Sequence, residues 1–284
     1  MPEDVPTVGV AEEFFLTDRR TRATVACAPA VIKGAQAVLG DQVGAELFTT
    51  IVETRTRPVA ILSALRRELL WLRSGVATAA GAVGCRAVAS GTAIVTPSGR
   101  SEATDGARCL RMAAEYAPLV TGDRSTDVCG CHIHIVTPDR EEAVQLGNHL
   151  RPWLPTLQAP AANSPFHGGQ VSGYASWRTI RRGTWPGTGP APPLADAAAY
   201  NTLVDVLVAS GMLLDRRMVY RHARPSEHCP TLEVRVADVS ADLDTVLLLT
   251  GLTRRVSRRV FWLETHTPSR TTWSWPSMVI CSVC

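Results

Sequence analysis

Lysine is almost missing from this chain: Lys33 is the only one, so every other member of the 29 Lys+Arg is arginine. That excludes a P-loop, whose phosphates lie against the lysine of G-x-x-x-x-G-K-[ST]. Anionic ligands are left to arginine, backbone amides or metal ions. Excess charge is missing too. With a net charge of +3 and no run of like charges, neither nucleic acid nor an anionic membrane is implied as a partner. No apolar stretch approaches the ~20 residues that a membrane helix needs. The start, "MPEDVPTVGV", has no apolar core of the secretory kind. The eight cysteines follow no disulfide-framework spacing in a chain of 284 residues, which suits a reducing cytoplasm.

What is present is enough for a substantial core, with 45% hydrophobic and 19% charged residues. Five stretches read as strands: 7–16, 47–56, 86–95, 127–136 and 231–239. Amphipathic helices are expected over Val59–Ala79, after Thr137 as cap with Pro138 in the first turn, over Tyr200–Met218 and over Leu243–Leu263. A Gly/Pro/Ser-rich loop spans 163–193, and its Tyr174, Trp177, Arg178 and Trp185 argue for a functional loop. The expected architecture is α+β: one domain over 1–263, an antiparallel sheet with helices packed on one face. The tail over 264–284, with two tryptophans and the terminal "CSVC", has no period and reads as poorly ordered or appended.

Two strands carry the chemistry. In "DVCGCHIHIV" the period-two alternation sends Cys129, Cys131, Ile133 and Ile135 to one face and Gly130, His132 and His134 to the other. Four converging zinc ligands do not result, and cysteine beside isoleucine is what a buried apolar face contains. In "TLEVRVADV" the same alternation puts Leu232, Val234 and Val236 on the core side, with Glu233, Arg235 and Ala237 opposite. A solvated cross-strand ion pair is the plain reading of Glu233 and Arg235. With Glu13, Glu53 and a histidine on neighbouring strands, the alternative is a floor of hard oxygen ligands suited to Mg²⁺ or Mn²⁺ bridging nucleotide phosphates.

In order from about residue 6 to 260, "TVGVAEEFFL", "LFTTIVETRTRPV", "CGCHIHIVTPDREEA", "GYASWRT" and "TLEVRVADV" resemble the type 2 glutamate–cysteine ligases, or carboxylate–amine ligases. The resemblance implies a glutamine-synthetase-like catalytic domain and an ATP-dependent reaction. In it a glutamate-like carboxylate is phosphorylated by Mg-ATP, or Mn-ATP, and the acyl phosphate is captured by an amine. It further implies metal ligation by Glu13, Glu46, Glu53, His132 and Glu233, and catalytic roles for Arg235, facing the transferred phosphoryl group, and for Glu53. Arg178 would clamp the amino-acid substrate, with Tyr174 and Arg224 as further substrate contacts. The family location is cytoplasmic and its members often form homodimers.

Three departures from the family pattern stand out. The first strand has Ala11, Glu12, Glu13 where the family offers Glu-x-Glu after "GV". Glu12 shares the face of Val10 and Phe14, so a carboxylate is missing at Ala11. Arg221 and His222 stand where the family reads Trp-Asp, and the tail is unlike the family's helical continuation. Two other readings therefore stand beside the ligase. One is a homologue of reduced activity that binds nucleotide or amino acid, or serves as a partner subunit. The other is a zinc protein using Cys129 and Cys131 with Cys281 and Cys284.

Overall fold

A computed structural model describes residues 6–95, 101–120 and 127–264. The long strand β1 (Val8–Asp18) organises an all-antiparallel sheet. On it and beyond it lie β2 (Val43–Ala45), β3 (Ile51–Arg55), β4 (Cys85–Val88) and β5 (Gly130–Val136). After a small hairpin of β6 (Phe166–His167) and β7 (Gln170–Val171), the sheet is completed by β8 (Ala223–Pro225) and β9 (Thr231–Asp238). The order is β2-β3-β1-β5-β9-β8, with β4 paired to the end of β1. Each of the five strand readings overlaps a strand, although the one over 86–95 is strand only to Val88 and the one over 47–56 only from Ile51, and the α+β architecture with an antiparallel sheet is the one observed.

One face of this sheet is apolar because the alternation makes it so. Val8, Val10, Cys131, Ile133, Ile135, Leu232 and Val234 pack against Leu65 and Leu69 of helix Leu62–Ala82, Leu146 and Leu150 of helix Arg140–Leu150, and Val246 and Leu249 of helix Leu243–Glu264. Each such Leu, Ile or Val contributes roughly 1.5–3 kcal/mol on burial. A second cluster, around Phe15, Leu16, Ile51 and Leu72, closes the core at the other end of β1. Glu12 is fully buried on the helix side, where the Arg73 guanidinium meets both its oxygens at 2.9 and 2.6 Å. It points away from Glu13, as the alternation requires. No helix among the described residues is long and apolar enough to cross a membrane.

Several local expectations are corrected. The helix after β5 is capped by Asp139, not Thr137: the Asp139 carboxylate accepts from Glu142 N at 2.9 Å, whereas the Thr137 hydroxyl is buried without a partner. The helix expected over 200–218 covers Ala197–Ala209 and stops before Gly211, whose φ of 73° belongs to the left-handed region. Helix Leu62–Ala82 starts three residues later than its apolar period suggests. Helices Ala28–Leu39 and Ala107–Glu115, which the sequence pattern does not announce, pack residues into the second cluster. Ala237 does not share the face of Glu233. An irregularity between Cys131 and Ile133 pairs Cys131 with Ala237 but Ile133 with Val234, so β9 holds one extra residue there. Both Val236 and Ala237 thus turn inward, and Asp238 emerges opposite Gly130.

Cys129 and Cys131 are fully buried free thiols, and burial pushes both well above the ordinary thiol range. Cys281 and Cys284, like the rest of 265–284, lie outside the described residues. As packing groups, Cys129 and Cys131 changed together to alanine should lower stability in urea unfolding by roughly 1 kcal/mol each. Elemental analysis should find the same metal content before and after. Loss of stoichiometric zinc from the double variant would show them to be ligands instead.

Candidate active site

The polar face of the sheet is built by cross-strand register. Glu13 lies opposite Glu53, Ala11 opposite both Arg55 and His132, and Glu233 opposite both His134 and Arg224. Directly opposed residues share a face, so three carboxylates and two imidazoles stand together, none more than 5% exposed. Glu46 joins them from outside the regular ladder. β2 ends at Ala45 and β3 begins at Ile51. That strand end removes the parity conflict between Glu46 and Glu53, which are seven residues apart.

Glu13, Glu53 and His132 each offer a ligand atom, all within 4.8 Å of one another. Among the described residues this is the one such group, and it contains no cysteine. Glu13 accepts a hydrogen bond from Gly130 N at 2.5 Å. By contrast Glu53 Oε2, His132 Nε2 and Glu46 Oε2 are buried without a hydrogen-bond partner. Burial and the neighbouring Glu13 raise Glu46 to about 8. Burial lifts Glu53 well above the usual carboxylate range, against the opposing pull of Arg55. His132 is pushed well below its usual range by burial and Arg235, and His134 to about 4 by burial. Crowded hard oxygens, a neutral imidazole and unsatisfied lone pairs fit a divalent cation, which would supply the missing positive charge.

Glu233 is differently placed. Burial opposes its charge, but Arg224 and Arg235 outweigh it and hold the carboxyl well below its usual range. Arg224 Nε donates to Glu233 Oε2 at 2.7 Å, and Arg235 donates to Oε1. Arg224 also donates to the carbonyls of Arg217 and Val219, so it braces Glu233 and the segment before β8. His132 Nδ1 and His134 Nε2 approach Glu233 Oε1 at 3.6 and 4.0 Å.

Two clefts open on this face. One is lined by Ala11, Glu53, His132, His134, Glu233 and Arg224, with Arg217, Ser226 and His228 at its rim. The other is lined by Glu13, Glu46, Arg178, Arg182, Arg235 and Tyr220, with Trp185 beside them. The Glu13–Glu53–His132 group lies at their boundary, because Glu13 faces the second cleft and its partners the first. In the second cleft the Arg182 and Arg235 guanidiniums lie over the Tyr220 ring, 5.7 and 5.9 Å from its centroid.

Arg178 is 1% exposed and is the second residue of helix Trp177–Arg182, whose cap is Ser176. Its guanidinium crosses directly over Gly130: a Cβ there would lie 2.2 Å from Arg178 Nη2. Asp238 is the residue that sequence alternation missed. It lies 3.8 Å from Arg178 and accepts from Asn163 N, Ser164 Oγ and Ser176 Oγ at 2.8, 2.7 and 2.9 Å. One carboxylate thus pins both ends of the segment that carries Arg178. Arg182 was missed as well, although it follows Arg178 by one helical turn. Burial and the neighbouring Arg235 and Arg178 pull it well below the usual arginine range, the mark of a site short of anions.

Tyr174 is not brought to the site. It is 52% exposed, rests on Trp177 with ring centroids 5.4 Å apart, and lines neither cleft. Arg221 lies half-buried along an apolar groove beside Pro192 and Leu194. The His222 imidazole is lowered to about 4 by burial and by Arg182. The base that replaces the family's acid at His222 is therefore uncharged at neutral pH.

The same layered sheet occurs in solved structures. A bifunctional glutathione synthetase from Pasteurella multocida aligns with 92% of this chain and 39% of its own, with a TM-score of 0.63 at 13% identity. A glutamate–cysteine ligase from Francisella tularensis, solved in complex with AMP, aligns with 90% of this chain and 67% of its own, with a TM-score of 0.65 at 12% identity. At such identities the likeness defines the fold class. Sequence goes further. The model of glutamate-cysteine ligase family 2 (GCS2) matches residues 7–275, and the chain belongs to that family. A protein of Salinispora arenicola bearing the name glutamate–cysteine ligase 2 is 43% identical over 248 residues, which are 87% of this chain and 65% of that protein. A counterpart from Nocardia farcinica is 43% identical over 88% of this chain and 64% of its own. The chain thus spans about 65% of the length of these relatives.

The raised carboxyls make a pH dependence. Between pH 7.5 and 8.5 the folded chain gives up a proton on Glu46, raised to about 8, which an unfolded chain has released near 4.5, and Glu53 is raised in the same direction. Stability in EDTA should therefore fall as pH rises through that window, by up to about 1.4 kcal/mol per pH unit for each retained proton. His132, His134 and His222 do not oppose it there, since above about pH 7.5 they are neutral in both states. Urea unfolding at pH 7.5 and 8.5 tests this; added Mg²⁺ should remove the loss, and a flat profile in EDTA would refute it.

Proposed function

We propose that the chain is the catalytic part of an ATP-dependent carboxylate–amine ligase acting on a glutamate-like acid, and that residues 1–263 form its domain. The observation that carries this reading is the position of Glu13, Glu53 and His132 at the boundary between two arginine-lined clefts. Phosphoryl transfer is mostly a matter of aligning donor and acceptor and offsetting charge. The two clefts offer one compartment for each. We assign the nucleotide phosphates to the cleft with Arg217, Arg224 and Ser226, and the acid to the cleft with Arg178, Arg182 and Arg235. Mg²⁺ or Mn²⁺, held by Glu13, Glu46, Glu53 and His132, would supply charge neutralisation there.

In this reading Arg178 receives the α-carboxylate of the acid, because a buried guanidinium pairs with a carboxylate in bidentate fashion. Arg235 stands beside the reacting carboxylate and stabilises the charge of the transferred phosphoryl group. The γ-carboxylate attacks the terminal phosphorus, ADP leaves, and the amine then displaces phosphate from the acyl phosphate. Glu233 is reassigned by its geometry: clamped by Arg224 and Arg235, it positions Arg235 and closes the ligand set through His132. Tyr174, out on the loop, takes no part. We extend the reading to a homodimer in the cytoplasm on the family resemblance alone.

ADP and phosphate release should appear when purified protein is given Mg-ATP, glutamate and a panel of amines, with release dependent on both acid and amine. Arg178→Lys should raise the KM for the acid at least tenfold while leaving nucleotide affinity near wild type, since a single ammonium replaces a bidentate fork. Absence of acid-dependent release with every amine would favour the alternative: a binding homologue of low activity, to which Ala11 already points.

A further inference from the structure

The polar face of the sheet changes character along β1. At one end Ala11 lies opposite His132, and the cleft there also takes in His134 and Glu233. Glu13 opposite Glu53 comes next, and two residues further on Phe15 lies opposite Ile51. β5 runs against β1 and pairs Cys131 with Glu12, so Val128, two residues before β5 begins, falls at this far end as well. The order along the strand is therefore phosphate cleft, carboxylates with His132, and then an apolar end. Ile51 and Val128 line the cleft of Arg178, Arg182 and Arg235, together with Leu47, Phe48, Trp185 and Tyr220. Leu, Phe, Ile and Val side chains carry no atom that could answer a charged or hydrogen-bonding group.

This wall is held in place. The Trp185 ring contacts both Tyr116 and Tyr220, with centroids 5.6 and 5.7 Å away, the second contact edge-on. The segment of Leu47 and Phe48 is tied to its neighbour: Thr104 N donates to the Leu47 carbonyl and Thr49 N to the Glu102 carbonyl, each at 2.9 Å. Val128 and Tyr220 are only half-buried, which leaves apolar surface uncovered beside the arginines. Resting on the ligase reading above, we infer that this apolar end is the subsite of the amine, and that the amine carries an aliphatic or aromatic substituent larger and less polar than the side chain of cysteine. The acid does not need this end, since its carboxylates are met by Arg178 and by Arg235. Burial of the substituent removes apolar surface of both partners from water, and a wall already fixed costs little to order. The phosphoryl donor and the amine then reach the acid from opposite ends of the strand. The amine nitrogen bonds to the acyl carbon as the carbon–oxygen bond to phosphate breaks, and phosphate leaves with that electron pair and the surplus amine proton.

Matched amines that differ in the polarity of their substituent test the assignment. With Mg-ATP and glutamate, kcat/KM is measured by ADP release for leucine against cysteine and for isoamylamine against ethanolamine, and the amide is verified by its mass. In each pair that is turned over, the apolar member should be favoured about tenfold or more, the size of a few methylene groups buried in an apolar subsite. Val128→Ser, which puts a hydroxyl on the wall, should cut that preference by roughly threefold or more. The preference is a ratio within one preparation, so a partly unfolded variant does not mimic the effect. Equal rates within a pair, preference for a polar member, release with ammonia alone, or an unaltered preference in Val128→Ser would overturn the inference and leave the ligase reading standing. If no amine, ammonia included, supports acid-dependent release, the ligase reading fails and takes the inference with it.

Discussion

Mutual repulsion of carboxylates in a dry sheet face is the constraint around which the molecule is arranged. Glu13, Glu53 and Glu233 are buried, the half-buried Glu46 joins them, and at an effective dielectric near 20 two such charges 4 Å apart repel by about 4 kcal/mol. Each is handled differently. Glu233 is neutralised by guanidiniums on both oxygens. Glu13 takes a backbone amide, Glu53 leans on Arg55, and Glu46 remains protonated to about pH 8. The same crowding that costs stability in the empty state makes the site selective for a hard cation, since only a compact positive charge relieves several oxygens at once.

The extra residue in β9 is what lets a single strand serve both sides of the site. Before it, Glu233 and Arg235 face the clefts; after it, the parity is reversed and Asp238 faces them instead. Without that step Asp238 would lie in the helix layer. The segment from Asn163 to Arg178 would then have no shared acceptor. A buried carboxylate with three hydrogen-bond donors is a firm anchor. It holds the loop that presents Arg178 and, one turn on, Arg182.

Much of this was legible in the residues themselves. Period-two alternation placed His132, His134, Glu13, Glu53, Glu233 and Arg235 on one face and the cysteines on the other, because a half-buried antiparallel sheet leaves no freedom in that choice. The exceptions come from interactions without local signature. The bulge that turns Ala237 inward depends on the partner strand, so nothing in "TLEVRVADV" announces it. Thr137 and Asp139 are both good caps, and only the path of the chain leaving β5 decides for Asp139. Tyr174 looked functional because aromatic residues in a long loop usually pack on something; it packs on Trp177, at the surface. Arg55 was hidden in "ETRTRP", where neither of the two arginines carries a mark of its burial.

The pair between Glu12 and Arg73 has a consequence for how the strand finds its place. β1 carries two adjacent glutamates, and a slip of one residue against its neighbours would exchange their faces, sending Glu13 into the helices and Glu12 into the clefts. The alternation of Val8, Val10 and Phe14 opposes such a slip only through apolar burial. Arg73 opposes through charge the slip that brings Ala11 to the place of Glu12, since its guanidinium would then face a methyl group. The carboxylate that never meets a ligand thereby selects the alignment in which the other one does.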